Sequence, residues 1–517
     1  MTFLRAAVCA ALFLAAFARA LAAEDVTLSS PDGAVEITGT LLGFDGEFYR
    51  VQTQFGELTV DGSGVSCEGP GCPSLSGFVA EITLAGSSTM SEVLLPALIE
   101  GFALRNGYQT RREPLPQGNF SHVLLRGQQP AARFTFTASN TDAGFAALIA
   151  DEADVAMALR EIRPLEQKAA RAAQLGDLTA PGRSRVLALD AFVPVVAPGN
   201  PVREISLPQL AQVLSGRIAN WKELGGPDAP ISLHMPVSGS GLAQAVEDKL
   251  MAPFGAGFAP QIRRHDRSST LVRQVLVDPF SIGIASYAEK GAARMLTLTG
   301  PCGFSLQASR WAVKTEDYPL TVPMFLYLPA RRLPKVARDF LTYVRGPAAQ
   351  AVIRRAGFVD QAPELIPVSR QGSRFANAIL AAEGEAGLEE LQRLVTVLGG
   401  MRRLTASFRF EPGSARPDAQ SRSNIEQLAR ALEAGEFDAK EIVFAGFSDG
   451  VGPAEGNRQI ALKRAGAVRD AVVKAAETAD ISRVRIRTEG FGEALPMACD
   501  DSAWGRQINR RVEVWVR

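Results

Sequence analysis

One device recurs along the middle of the chain and narrows the folds open to it. A short apolar strand runs into glycine and hydroxyl residues and then into a helix. It stands at residues 82–90 (ITLAGSSTM) before a helix over 92–103, at 134–144 before a helix near Phe145, and at 233–241 before a helix over 242–251. Between the second and third lies Val155-Ala-Met-Ala-Leu-Arg160-Glu-Ile, a further apolar run. Strands alternating with helices from Phe78 to about Val359 predict an α/β domain. The device also carries chemistry. A helix start has backbone N–H groups without partners and a partial positive charge. Glycine lets a ligand approach the backbone, and hydroxyls add donors. Several such starts facing one cleft make an anion site that needs little formal charge. The candidate residues are Ser87, Ser88, Thr89, Ser139, Asn140, Thr141, Ser238, Ser240 and Gly241, with Arg160 as a positive charge. Each taken singly is also an ordinary helix N-cap.

A chain of 517 residues is too long for one core, so two to four domains are expected. Lys+Arg and Asp+Glu both number 55, which argues against a nucleic-acid partner, whose footprint is a basic excess. His122, His234 and His265 have no metal-ligand spacing, and no metal or cofactor is expected. No serine–histidine pair stands in a recognisable elbow, and no cysteine has a catalytic setting, so an enzyme is not expected. Residues 1–22 read as a signal peptide: Arg5 at the positive start, an apolar run from Ala6 to Phe17, and Ala20-Leu21-Ala22 as cleavage signal. That run is too short to span a membrane, and the mature chain is expected to be exported and soluble. Cys67 and Cys72, close together among glycines and a proline, are expected to form a disulfide in an oxidising compartment. Cys302 and Cys499 fall in different domains, and their state is left open between buried thiols and a pair.

Residues 24–76 predict a small β module, with period-two runs at 26–28, 35–41, 48–53 and 56–60 and turns at Asp32-Gly33, Asp45-Gly46 and Phe55-Gly56. It resembles a small SH3- or Sm-like barrel, suited to packing or partner contact. Residues 363–402 read as a helical linker. Its amphipathic helix over 376–398 is interrupted by Gly384 and Gly387, and Leu388, Leu391, Leu394 and Val395 form the apolar face.

Toward the C-terminal end a strand-like run over 441–450, with Asp449 near its end, is followed by a helix over 454–476, with Ile460, Ala461, Ala465, Val468 and Val472 at helical spacing. Asn457, Ala461 and Arg464 are four and three residues apart, so they share a face. Asp449 lies in the loop before it. A ligand with an ammonium and a carboxylate on one carbon fits between: Asp449 for the ammonium, the guanidinium fork of Arg464 for the carboxylate. Phe408-Arg-Phe410, Gly446-Phe-Ser-Asp449, Asn457 to Arg464 and Asn509-Arg510-Arg-Val-Glu513 together resemble the OmpA-like peptidoglycan-binding domain over 403–517. The resemblance implies that Asp449, Asn457, Arg464, Asn509 and Arg510 form a pocket for diaminopimelate of peptidoglycan. The family usually has histidine and threonine where this chain has Phe447 and Ser448.

The order of the anchor points over 78–362 is similar to the phosphate-type, PstS-like periplasmic binding proteins. Supporting stretches are residues 187–201, Ser215-Gly-Arg-Ile-Ala-Asn-Trp221, Asp278-Pro-Phe-Ser-Ile-Gly283, Tyr318-Pro-Leu and 340–359. The implied fold class is α/β, a type II bilobed periplasmic-binding-protein fold, preceded by the small β-barrel-like module and followed by an α+β OmpA-like domain. Two lobes would close on a tetrahedral oxyanion held by hydroxyls and amides. Three departures stand out: Pro236 where the family has arginine, Leu242 where it has threonine, and Leu159, with Arg160 beside it, where the family's proton-accepting acid is missing. The expectation is a receptor for a small oxyanion, phosphate or a relative. It would sit in the periplasm on peptidoglycan near the outer membrane, with an ABC permease or an envelope protein as a possible partner. The alternative is a wall-bound scaffold whose bilobed part contacts a protein.

Overall fold

A computed structural model describes residues 25–517 except 75, 76, 301, 383, 412, 413 and 415; the signal segment lies outside the described residues. The N-terminal module is an antiparallel sheet in the spatial order Gly56–Asp61, Phe48–Thr53, Glu36–Phe44, Asp25–Ser29, Ser66–Glu68. Four of its strands are the expected ones. The fifth carries Cys67, which is bonded to Cys72 as expected, with an S–S distance of 2.03 Å. Its core is small, built on Val26, Leu28, Tyr49 and Val51. The module docks on the bilobed part through charge and aromatic contact. Asp45 accepts from Arg338 at 2.9 Å, Glu47 faces Lys335 at 2.8 Å, and Phe44 meets Phe78 edge-on at 5.3 Å.

The bilobed part is organised by one long strand, Ser184–Val196. Its first half, from Ser184 to Ala191, pairs with Thr321–Tyr327, and its second, from Phe192 to Val196, pairs with Ser281–Ser286. Two sheets therefore share a strand, and each becomes the core of a lobe. In the first, Ala80–Ser87 lies parallel to both Gln129–Ser139 and Val155–Ala158. In the second, Ser232–Pro236 lies parallel to Ser281–Ser286 and Arg263–His265. The last pairing brings His234 and His265 together, ring nitrogens 2.9 Å apart. The central strands Val155–Ala158 and Ser281–Ser286 are buried along their whole length because both faces are covered, whereas Gln129–Ser139 alternates between buried and more exposed side chains. The carboxyl ends of the parallel strands, which lead into the glycine–hydroxyl loops, are where open α/β sheets receive ligands.

The C-terminal domain is a sheet in the order Leu365–Ile366, Arg402–Arg409, Arg511–Val516, Glu441–Phe447, Arg485–Gly490. Along Glu441–Phe447 alternate side chains enter two different cores. Ile442 and Phe444 pack under the helices Ala419–Glu433 and Ala454–Ala475, whereas Val443, Ala445 and Phe447 pack on the opposite side. The stretch read as a linker supplies that opposite side. Leu365–Ile366 pairs with Arg402–Arg409, and the helices Gly372–Ala381 and Gly384–Leu398 cover the second face of the sheet. The apolar face is also rotated from the expected one: Leu391, Leu394 and Leu398 are buried, while Leu388 and Val395 are about half exposed. On a helix those two lie at the edge of the stripe, and the sheet beneath reaches only its centre.

The two large domains are joined by more than chain. Cys302 and Cys499 form a disulfide. Asp317 bonds Arg403 across the junction at 2.5 and 3.1 Å, and Arg403 lies 3.3 Å from Glu513, which also pairs with Arg511 at 2.7 Å and Arg374 at 2.5 Å. Apart from half-sheltered edges these groups are buried, so the network stands on mutual pairing rather than on water.

Candidate functional site

The structure brings the three glycine–hydroxyl loops to one place. The register of the parallel strands sets Ser87 opposite Ser139. Across the cleft, a Cβ on Gly241 would sit 2.7 Å from the Ser87 Oγ, so only glycine permits this approach of the second lobe. The lobes also bond directly. Asn140 Nδ2 donates to the Gly239 carbonyl at 3.0 Å, and the Thr141 N–H donates to Gln244 Oε1 at 2.9 Å.

Most of the candidate polar groups are engaged locally. Asn140 Oδ1 caps the helix Thr141–Ile149 by accepting from the Ala143 N–H at 2.9 Å, and Ser240 Oγ caps the next lobe's helix by accepting from the Ala243 N–H at 3.3 Å. Thr141 Oγ1 accepts from the Leu159 N–H at 3.0 Å, and Ser139 Oγ donates to the Gly86 carbonyl at 3.4 Å. Ser88 and Thr89 are half-buried at the start of their helix, and Ser238 is exposed. Ser87 differs: its Oγ is fully buried with no hydrogen-bond partner among the described residues. A buried hydroxyl in that state calls for an acceptor.

Arg160 is not turned to a ligand. It makes two bonds to Glu166, at 2.6 and 2.8 Å, pairs with Asp142, and lies 3.7 Å from Asp248 of the second lobe. Burial opposes its charge, but Glu166 and Asp142 together hold its pKa above the ordinary guanidinium value. Asp142, Glu166 and Asp248 carry no motif, and Asp248 is distant in sequence.

The second site is built on the C-terminal sheet. Gly446 lets the helix Ala454–Ala475 lie directly on the strand, since a Cβ there would be 2.0 Å from the Ala461 carbonyl oxygen. That contact sets the helix face of Asn457, Ala461 and Arg464 beside the loop that carries Asp449. Asp449 Oδ2 accepts from Arg510 Nη1 at 2.5 Å. Arg464 lies over the Phe410 ring, 5.5 Å from its centroid. Among the described residues no carboxylate reaches ion-pair distance of Arg464. Burial, then the nearby Arg510, lowers its pKa, and Asp449 partly offsets them. Asp449 is thus engaged by Arg510, and Arg464 is left without a carboxylate partner of its own.

Asn457 and Asn509 frame the pocket rather than face into it. Asn509 Oδ1 accepts from the N–H groups of Met497 and Ala498 at 2.7 and 3.0 Å, and its Nδ2 donates to the Ala498 carbonyl and to Asp500, both at 2.8 Å. Asn457 Nδ2 donates to Glu493 at 3.3 Å. Asp500 also accepts from the Gly450 N–H at 2.6 Å and so fixes the loop after Asp449. Sequence reading does not single out Asp500 or Glu493; their chemistry is ordinary and only their placement matters. Of the two departures, Phe447 is accommodated in the core, packing on Phe491 with ring centroids 5.8 Å apart and under Arg511, whereas Ser448 is buried with its Oγ unpartnered among the described residues.

Comparison with known proteins matches both regions. A family model described as PBP superfamily domain covers residues 72–347, and one described as OmpA family covers residues 409–510. The phosphate-binding protein PstS of Borreliella burgdorferi is 23% identical over 184 residues, 34% of this chain and 65% of that protein. Protein SphX of Synechococcus elongatus is 26% identical over 238 residues, 44% of this chain and 68% of that protein. Outer membrane porin F of Pseudomonas fluorescens is 30% identical over 113 residues, 22% of this chain and 32% of the porin. The chain thus spans just under two thirds of the first relative and about a third of the porin. The crystal structure of an ABC-type phosphate transport receptor from Vibrio cholerae aligns with 54% of this chain and 99% of its own, at 18% identity and a TM-score of 0.41. Since the first family model covers more than half of the sequence, and the second follows it, the chain belongs to the PBP superfamily and carries an OmpA-family domain behind its bilobed part.

Proposed function

We propose that this is a periplasmic protein held non-covalently on peptidoglycan by its C-terminal domain, with a bilobed part that receives a small oxyanion of the phosphate type. The observation that carries the reading is Arg464, a half-buried cation with no carboxylate at ion-pair distance, next to the Asp449–Arg510 pair. A diaminopimelate end group carries both charges on one carbon. Its carboxylate takes Arg464, and its ammonium takes the face of Asp449 that Arg510 leaves free. Binding to isolated peptidoglycan sacculi tests this. The wild-type protein should sediment with them, and Arg464→Ala and Asp449→Ala should stay in solution; equal retention would remove the pocket from the account.

For the bilobed part, the partnerless Ser87 Oγ supports an acceptor ligand at the lobe contact. Phosphate and sulfate should then raise the melting temperature, because a ligand that binds only the folded state stabilises it. Handing such an ion to an ABC permease belongs to the same reading.

A second reading, a wall-bound scaffold without a small ligand, is favoured by one observation. The C-terminal domain holds both lobes: the Ala419 N–H donates to Glu161 of the first lobe at 2.8 Å, and Cys499 is bonded to Cys302 of the second. Opening the cleft would disturb both contacts. No melting shift with any oxyanion at millimolar concentration would decide for the scaffold.

A further inference from the structure

A cavity of about 770 Å³ lies where the bilobed part meets the helix Ala419–Glu433 of the C-terminal domain. Both domains wall it, and neither lobe loop nor the Asp449 pocket contributes. Its size falls within the range of roughly 300–1,000 Å³ typical of small-molecule sites. Much of the wall is apolar, with Val186, Val344, Pro347 and Ile425 among the lining residues.

The charge on that wall is unbalanced. Four arginines, Arg185, Arg345, Arg422 and Arg430, stand against two glutamates, Glu426 and Glu436; with Arg422 compensated outside the cavity, an excess of one positive charge remains. Glu426 is shared between Arg345 at 3.5 Å and Arg430 at 3.8 Å. Arg422 turns away to Glu161 and Glu411. Arg185 has no carboxylate at ion-pair distance among the described residues; its Nε and Nη1 donate only to the carbonyls of Gly182 and Leu341, at 3.3 and 3.2 Å. Burial first, and Arg345 second, push its pKa down to about 10.

A second observation is independent of charge. Gln361, 8% exposed, also lines the cavity. Its Oε1 accepts from the side-chain amides of Gln420 and Gln427 at 3.2 and 2.8 Å, which fixes the orientation of the amide. Its Nε2 is left buried with no partner. A donor in this state, beside an excess of guanidinium groups, is built for an acceptor that carries negative charge.

We propose that this interdomain cavity binds a small organic anion, a carboxylate or phosphate monoester on a compact apolar body. Arg185, Arg345 and Arg430 take the head group, Gln361 supplies a further donor, and the apolar lining takes the body. The site is separate from the lobe contact and from the peptidoglycan pocket. Because both domains form its walls, its occupant ties them together.

Isothermal titration calorimetry on the full chain tests this, with phenyl phosphate and benzoate as probes and benzyl alcohol and acetate as controls. The buffer holds no phosphate or sulfate, and the Arg345 and Arg430 variants, which leave the interlobe cleft untouched, separate this site from that cleft. At least one ring-bearing anion should bind, and neither control should. Arg345→Glu and Arg430→Glu, both at exposed positions, should weaken binding by about tenfold or more, roughly the loss of one charged contact, with unchanged melting and unchanged sedimentation on peptidoglycan. Gln361→Glu, equal in shape, should weaken it as well. The stronger of the two probes identifies the head group as phosphate ester or carboxylate. Silence of both probes, equal affinity in the charge-reversed variants, or binding of benzyl alcohol as strong as that of the anions overturns the proposal.

Discussion

Arg160 at the lobe contact and Arg464 in the C-terminal pocket invite comparison, because each is a partly sheltered guanidinium beside a loop that the sequence marks for ligand binding. Arg160 is surrounded by Asp142, Glu166 and Asp248, and its charge is used up inside the protein. Arg464 has an aromatic ring beneath it and another arginine near it, and its charge is left over. A buried or half-buried cation is stable only when something offsets it. At the first site the protein does so, and at the second a ligand is left to do so. The lobe contact therefore offers neutral donors such as the Ser87 hydroxyl, while the C-terminal pocket offers charge.

The largest expected effect concerns the junction that couples the two regions. Asp317→Ala leaves Arg403, Arg374 and Arg511 around the single carboxylate of Glu513. Breaking a buried pair from one side costs about 3–5 kcal/mol. Urea unfolding followed by tryptophan fluorescence should show that loss; a change below about 1 kcal/mol would mean that the domains are not held by this network.

Next comes Asp190 on the strand shared by the lobes. It is buried, accepts from Ser286 Oγ at 2.6 Å and from the Ala191 N–H at 2.8 Å, and burial pushes its pKa up to about 6. Its folded pKa lies above the unfolded value near 3.8, so its contribution to stability is complete below about pH 4 and falls as pH rises through about 6. The variant Asp190→Asn has no such term. Its stability relative to wild type should climb between about pH 4 and 6, by on the order of 2–3 kcal/mol for a shift of that size. A difference that is flat with pH would show that the carboxylate ionises normally.

The comparison itself is broken or kept by the two arginines. Arg464→Ala should reduce affinity for sacculi by about 10- to 100-fold, the loss of a charge-assisted contact, while melting stays the same. Arg160→Met should do the opposite on a smaller scale. It should cost about 1 kcal/mol by leaving three partly exposed carboxylates in mutual repulsion, with no loss of any oxyanion response. A swapped outcome, with Arg160 needed for the ligand and Arg464 needed for stability, would invert the assignment.

Much of this was legible in the chain. The strands of the N-terminal module followed from period-two alternation, but Ser66–Glu68 is too short and polar to show a period and owes its place to pairing with Asp25–Ser29. The helix face of Asn457 and Arg464 was readable, because spacings of three and four leave no freedom about which side they share. That Asn457 and Asn509 frame the pocket was not, since their partners Glu493 and Asp500 come from another loop. The stretch over 363–402 had a readable apolar stripe and an unreadable destination, because nothing local says that the sheet over 402–516 has a second face to cover. The pairing of Cys302 with Cys499 likewise depends on how two domains meet.

What the order of residues determined by itself was local: which segments are strands, which helix sides carry polar groups, where glycines must stand, and so the two architectures and their loops. Those depend on neighbours a few bonds away, and backbone geometry leaves them little choice. Whether a given charge is free or satisfied was decided only in three dimensions, because Coulomb pairing and desolvation depend on groups brought together from distant segments. Arg160, Arg464 and Arg185 are the same side chain, and the fold alone makes the first a brace and leaves the other two without a counter-charge.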